Sequence, residues 1–367
     1  MKGNLRRIVW TGLVAAVLAL AGCGGSSGSK SDEGRKLGDV LAAVNGLSGK
    51  ARTDRLLQLV EAEGGGLTFY TSYSTSLLGD VASAFKDAYG IDVSTYRGGT
   101  GNVLQRLLEE SKAGFHGADV IESNGLEMIA TNKEGLLEPY DSPASANLIQ
   151  GTRHQGWTAD AVNTLALIRN TKLVPQGRQP RSWEELADPR WKGKLGITIS
   201  DVDWYKTLHD YWITREGKTQ QQVDRLFEGI ARNAVFLKGH SLGAQLQSAG
   251  EFDLFVNYIH IVEKLASEGA PLAWEPPVEP IFVRTDGVGI VRGAPHPAAA
   301  LLFVDWLLSD GQKVLADAGV AVRKDLIVTG RAKTVLVDLQ SLAAEEQKWN
   351  DRFDRLIRLG GKAKSAG

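Results

Sequence analysis

The feature that most constrains this chain is a unit that recurs along it: a short apolar or β-branched run, a polar turn, then apolar residues at helical spacing. Residues 64–93 (GGGLTFYTSYSTSLLGDVASAFKDAYGIDV) carry the first copy. Residues 67–70 read as a strand, 71–76 are almost all hydroxyl-bearing, and 77–89 set their apolar side chains on one helical face. The order returns in a strand over 91–96, a glycine turn at 98–101 and a helix over 102–112. It returns again in a strand over 118–122, a turn at 123–125 and a helix over 126–132. Strands alternating with helices build parallel sheets through right-handed crossovers, so these residues predict a βαβαβ half of a doubly wound α/β sheet. Ligands of such sheets bind beyond the carboxyl ends of the strands, where helix N-termini present unpaired N–H groups. Ser72, Tyr73, Ser74 and Thr75 in the first turn, with Ser123 and Asn124 in the third, are therefore candidate ligand contacts. The alternative use of these hydroxyls is helix capping alone.

The pattern continues downstream. Residues 156–168 alternate and then turn apolar, as one or two strands crossing to another domain would. Residues 180–194 read as a surface helix and turn, with Pro189 ending the helix. A strand over 195–199 leads through Ser200, Asp201, Val202 and Asp203 into a helix from Trp204. A strand over 234–237, a turn at 239–243, a helix over 244–249 and a strand over 254–257 running into Tyr258 complete a second set of units. Ahead of all of them, 37–63 read as two short helices broken near Gly46 and Gly49, and at the far end 343–367 read as an amphipathic supporting helix with a basic tail. The span exceeds what one hydrophobic core organises, so two domains are expected. The glycine turn is not a dinucleotide fingerprint, because Leu104 stands where the third glycine is needed, and no G-x-x-x-x-G-K-[ST] occurs.

The N-terminus has Lys2, Arg6 and Arg7 before an apolar run at 8–20, which is short for a membrane span and has the layout of a secretory signal. Leu20-Ala21-Gly22-Cys23 resembles the lipobox of bacterial lipoproteins. That resemblance implies removal of residues 1–22, lipidation of Cys23, and a protein held by its lipid on the extracytoplasmic face of the cell membrane. Cys23 is the only cysteine, which excludes an intrachain disulfide. Processing would take the formal charge from -1 to -4 through the loss of Lys2, Arg6 and Arg7, leaving no basic excess for nucleic acid. Residues 23–36, rich in Gly and Ser, are expected to be a flexible tether.

Five segments carry a wider resemblance: LVEAEGGGLTFYTS (59–72), GADVIESNG (117–125), RSWEELADPRWKGKLG (181–196), HSLGAQLQSAGE (240–251) and APHPAAALLFVDWLLSDGQKVLADAG (294–319). In this order they resemble the extracellular solute-binding proteins of bacterial ABC importers, in the group that includes ferric-ion-binding proteins. The resemblance implies two α/β lobes with a hinge and an interlobe cleft, as in type II periplasmic binding proteins. It implies no enzymatic activity, a monomer, and delivery of a small solute to the permease subunits of an ABC transporter. Crossings would fall near 160–163 and 284–288, giving a first lobe of 37–159 and 286–345, a second lobe of 160–285, and a C-terminal helix and tail over 346–367.

Ferric-ion members use a histidine in the first turn, an acidic residue after the third strand and two adjacent tyrosines in the second lobe, since Fe(III) favours anionic oxygen. The matching positions here are Ser74, Asn124 with Glu122 nearby, and Tyr258 followed by Ile259. One donor type survives. Fe(III) or its complex is the ligand the family implies, with Tyr258 and Asp203 as candidate metal donors and Asp201, Tyr205 and Tyr73 as further oxygen sources. The alternative is an organic solute such as a phosphonate or a polyamine, with Trp204 and Tyr205 as an apolar wall, unless they serve ordinary helix packing, and Asp203 pairing an amine. The acidic turn disfavours a bare phosphate. His240 and Ser241 would touch solute from their turn.

A rival reading comes from Gly239-His240-Ser241-Leu242-Gly243, a G-x-S-x-G between strand and helix, as in the nucleophile elbow of serine hydrolases of α/β type. Its partners would be Asp253 or Asp286 with His260 or His296. No His-Gly-Gly-type stretch lies upstream to form an oxyanion hole, His296 stands between two prolines, and His260 follows Tyr258 by two residues. The motif also falls within a segment that resembles binding proteins, so binding outweighs hydrolysis.

Overall fold

The structure is a computed structural model that describes residues 36–326 and 332–362; the expected signal sequence, Cys23, nearly all of the tether and the end of the tail lie outside the described residues. Helices α1 (Leu37–Ala43) and α2 (Gly49–Ala62) precede the first strand-turn-helix unit. Strand β1 (Leu67–Thr71) then runs parallel to both β2 (Val93–Arg97) and β3 (Val120–Asn124), with α3 (Thr75–Tyr89), α4 (Thr100–Lys112) and α5 (Gly125–Lys133) following the three strands. Helix α3 shows why the boundaries fall where they do. The Ser74 hydroxyl accepts from the Leu77 N–H at 3.2 Å, Gly90 ends the helix at φ +73°, and Leu78, Val81 and Phe85 turn inward at helical spacing.

Residues 156–168 form one long strand. A short β4 (Arg153–His154) pairs with β5 (Trp157–Asn170), which leads into β6 (Leu195–Thr198), α6 (Val202–Thr214), α7 (Gln220–Asn233), β7 (Ala234–Leu237), α8 (His240–Ser248), β8 (Leu254–Tyr258) and α9 (Ile259–Ser267). After a short β9 (Leu272–Ala273), β10 (Ile281–Ile290) lies antiparallel to β5 along most of its length. The chain continues through α10 (Pro297–Leu307), α11 (Gln312–Asp317), β11 (Thr334–Leu336), α12 (Leu339–Ala344), α13 (Glu346–Leu359) and β12 (Gly361–Lys362). The principal strand order is β12-β7-β6-β8-β5-β10-β3-β1-β2. Strands β5 and β10 thus join two α/β lobes.

Each lobe has its own core. Phe69, Phe85, Val120 and Val288 pack with α10, which is apolar along nearly its whole length, and the Glu63 carboxylate receives the Ala298 N–H at 3.1 Å at that helix's start. Trp183, Trp204, Tyr205, Phe227 and Phe282 form the other core, closed by Trp349, Phe353 and Leu356 of α13.

Two local readings change. Residues 180–194 hold two 3-10 turns, Trp183–Ala187 and Pro189–Trp191, in place of one helix, because the residue before a proline is driven out of helical conformation. Trp183 and Trp191 are buried, and the Trp183 indole donates to the Pro280 carbonyl at 2.9 Å, so the segment is anchored well below the surface. Residues 240–243 already belong to α8. Past residue 333 the chain touches both lobes: Val337 and Leu339 pack with Tyr70, Val103 and Met128 of the first, and Leu342 packs in the second core. Strand β11 pairs with Ile281–Val283, and α13 packs its apolar face on α6 and α7.

Candidate functional site

Ser74, Asn124, Asp201, Gly239 and Tyr258 stand at the first turns of α3, α5, α6, α8 and α9, each helix following closely on a strand. In the first lobe two of the hydroxyl residues, Thr71 and Ser72, turn inward to one acid. Glu122 is fully buried at the end of β3; it accepts from the Thr71 hydroxyl, from the Ser72 N–H at 2.9 Å and from the Ser72 hydroxyl at 3.3 Å. Burial, then the charges of Asp160 and Asp286, push its carboxyl well above the ordinary range. Tyr73 is buried and donates its phenol to Asp160, while Arg97 donates to the Tyr73 carbonyl at 3.0 Å. Ser74 and Thr75 are exposed. Ser123 alternates with Glu122 and points to the opposite face of the sheet, where its buried hydroxyl has no hydrogen-bond partner. Asn124 lies opposite Asp286.

The crossing strands supply the centre. Asn163 lies opposite Arg284 and Ala161 opposite Asp286, after which the register shifts between Asp286 and Gly287 and leaves Asp160 as the extra residue of a bulge. A Cβ at residue 287 would sit 2.1 Å from Trp157, so the strand needs a glycine there. The Gln312 amide holds the Asp160 carbonyl at 2.8 Å. Asn163 donates to Asp286 at 2.6 Å. Arg284 reaches Asp203 at 3.3 Å, stands 3.9 Å from Asp286, and lays its guanidinium 5.1 Å from the centroid of the Tyr258 ring. Burial opposes the charge of Arg284, but Tyr258, Asp203 and Asp286 outweigh it and raise its pKa. Burial pushes Asp160 up to about 7 and Asp286 up to about 6, the latter against the pull of Arg284.

From the second lobe, His240 brings its Nε2 to 3.0 Å from Asp201 and its ring to 4.0 Å from that of Tyr258, which stacks in turn on His260 at 5.6 Å. Burial, with His240 and Arg284 nearby, lowers His260 to about 4. Burial raises the Tyr258 phenol well above its usual value even beside Arg284, and raises Asp203 likewise. Trp204 and Tyr205 face elsewhere. Trp204 packs 5.6 Å from Trp183, and Tyr205 lies 4.6 Å from Phe227 and stacks on Phe353 at 5.6 Å, so both fill the core and neither supplies an apolar wall for solute.

The G-x-S-x-G motif has a packing explanation. Gly239 adopts φ +93° to start α8, and a Cβ on Gly243 would come within 2.2 Å of Phe255, so both glycines serve the strand-helix contact. Ser241 is exposed on the first turn of α8. Its expected partners are engaged elsewhere: His260 on Tyr258, His296 with Asp119 at 3.0 Å, Asp253 with Lys194 at 3.4 Å, and Asp286 with Asn163 and Arg284.

The binding reading of the turns did not include Asp160, Arg284 and Asp286, which connect the two lobes. A signal for them exists: each is a charge set inside an otherwise apolar strand (TADAV, FVRTDGVG), where an unpaired charge is costly. Among the described residues no group of three or more His, Cys, Asp or Glu side chains is placed to hold a metal ion.

Residues 118–334 match the family described as bacterial extracellular solute-binding protein. An Fe(3+)-binding periplasmic protein of Serratia marcescens is 23% identical over 261 residues, 68% of this chain and 76% of the relative. Iron-bound HitA from Pseudomonas aeruginosa superposes with a TM-score of 0.66 at 20% identity, covering 79% of this chain and 99% of HitA. The periplasmic binding protein AfuA from Actinobacillus pleuropneumoniae, solved with exogenous fructose-6-phosphate bound, gives 0.66 at 21% identity over 81% of this chain and 99% of AfuA.

Proposed function

The chain belongs to the family of bacterial extracellular solute-binding proteins, a non-enzymatic family, and from that premise we propose that it captures a small charged solute between its lobes and delivers it to the permease of an ABC importer. The observation that carries this reading is the line of side chains running from Glu122 and Asn124 through Asp286, Asn163 and Arg284 to Asp203, Tyr258 and His240. It passes from one lobe to the other across the two strands that join them. A ligand bridging that line stabilises the closed arrangement of a hinged pair. We take the first lobe as 37–159 with 286–345, the second as 160–285, and 346–367 as a C-terminal helix and tail. Attachment through a lipid on Cys23 fits the Leu20–Cys23 sequence; Cys23→Ser should then leave the protein unprocessed or free of the membrane fraction. Scattering should give a smaller radius of gyration at saturating solute, and an unchanged profile would count against hinged capture.

Ferric iron is the second reading, favoured by the names of the relatives. Tyr258 is the donor that suits it, whereas Asp203 would first have to leave Arg284. Chelated Fe(III) added to the protein should develop a visible charge-transfer band that Tyr258→Phe abolishes. Absence of colour in the wild type would leave the organic solute.

A further inference from the structure

The charges at the cleft do not balance, and the imbalance, granted that the cleft is a solute site, indicates what kind of solute it takes. Five carboxylates are buried there: Glu122, Asp160, Asp201, Asp203 and Asp286. Arg284 engages Asp203 at 3.3 Å and approaches Asp286 at 3.9 Å, and His240 stands 3.0 Å from Asp201. His260 is held neutral at ordinary pH by its burial. The cations that reach these carboxylates, Arg284 and His240, therefore lie over the crossing strands or on the second-lobe side, and the first-lobe Arg97 is taken by the Tyr73 carbonyl at 3.0 Å.

Glu122 and Asp160 have none. Glu122 is satisfied by the neutral donors of Thr71 and Ser72. Asp160 receives the Tyr73 phenol on one oxygen and has the backbone N–H groups of Asp160 and Ala161 near its carboxylate, while its other oxygen, in a side chain with no solvent exposure, meets no side-chain donor; Asp286 Oδ1 has no hydrogen bond and only Arg284 at 3.9 Å. Glu122, Asp160 and Asp286 are close enough for each to feel the others' charge. Buried carboxylates in such a group keep their protons unless a counter-charge enters, so a cationic solute is what would let them ionise. An anion would meet repulsion here. A metal ion needs several donors converging on one point, and the described residues hold no such set of acids and histidines. A protonated amine needs only one or two carboxylate oxygens within hydrogen-bond reach of its N–H groups.

We propose that Glu122, Asp160 and Asp286 form a subsite for the ammonium group of a small organic cation, with Asp160 as the residue that selects it. Arg284 then serves as the resident counter-ion of Asp203 and, at longer range, of Asp286, which leaves Glu122 and Asp160 to the solute with Asp286 shared between the two.

The test uses the purified protein with 1,4-diaminobutane, 2-aminoethanol, ferric citrate and inorganic phosphate, read by thermal shift and calorimetry. At least one amine should raise the melting temperature, and Asp160→Asn should weaken that amine about tenfold or more while the free variant melts no lower than wild type. Glu122→Gln is the second variant should Asp160→Asn fail to fold. Binding of ferric citrate or phosphate without either amine would overturn the amine subsite and leave solute capture standing. Equal amine affinity in wild type and both variants would overturn the placement. No response to any probe, with no small molecule retained in native mass spectrometry, would remove the solute-binding reading and the subsite together.

Discussion

The two sides of the cleft meet the same topological demand with different chemistry. At the first lobe the strand ends carry hydroxyls, and these stay within the lobe: Ser74 accepts from the N–H of Leu77 three positions on, while Thr71 and Ser72 converge on Glu122 of a neighbouring strand. At the second lobe and the crossing strands the side chains are charged or aromatic, and they reach across elements: Asp203 to Arg284, His240 to Asp201 and Tyr258, Arg284 towards Asp286. A hydroxyl turn can finish its hydrogen bonding within a few residues, whereas a buried charge must be matched by something distant in the sequence. The hydroxyl side thus ties one buried acid to its own lobe, and the charged side ties the second lobe to the crossing strands.

The sharpest way to break this contrast is to remove the shared cation. Arg284→Met leaves Asp203 and Asp286 buried without their counter-charge and should cost about 3–5 kcal/mol of stability in urea unfolding. A loss under 1 kcal/mol would mean that the charged side is no more interdependent than the hydroxyl side.

Next in size is the pH dependence. Burial raises Asp160 to about 7 and Asp286 to about 6, above the ordinary value of 3.8. The folded protein holds protons there that the unfolded chain has released, so this contribution is complete below the unfolded pKa and is lost as pH rises through the folded values. Stability in the absence of solute should fall between roughly pH 4 and pH 7, by on the order of 1 kcal/mol per pH unit at its steepest, and Asp160→Asn should flatten the slope. A slope of opposite sign across this window would mean that the acids are matched in the folded state.

On the hydroxyl side, Ser74→Ala removes a helix cap and should cost about 1 kcal/mol of stability with no change in solute affinity. An affinity loss would place Ser74 in the site after all. Ser241→Ala should do the least: at most one uncharged hydrogen bond is lost, so the dissociation constant should rise only several-fold, corresponding to about 0.5–1.5 kcal/mol. Measurable ester turnover by the wild type, absent in the variant, would reopen the hydrolase reading.

The contrast also explains what could be read from the sequence. The strand-turn-helix units of the first lobe are visible because capping hydroxyls, left-handed glycines and apolar periodicity act within a few residues, as Ser74, Gly90 and the 78-81-85 spacing show. Residues 160–163 and 284–288, expected as crossings, do lie side by side in the long strand pair. Trp204 and Tyr205 were ambiguous because an aromatic pair at a helix start looks the same whether it lines a cleft or fills a core. What decides between them is α13, more than a hundred positions away, whose Phe353 stacks on Tyr205. The roles of Asp160, Arg284 and Asp286 depend on the register of β5 against β10, including a one-residue bulge, and no local pattern encodes that.

The order in which the two cores are completed bears on how such a chain folds as it is made. The first core needs α10, and the second needs Trp349 and Phe353, so both are closed by the C-terminal quarter of the sequence. A chain emerging N-terminus first cannot finish either lobe until nearly all of it has appeared, and the contacts that close them span long sequence separations, which slows folding. The same topology makes late truncation severe: a stop just before residue 297 would leave the apolar faces of both lobes uncovered.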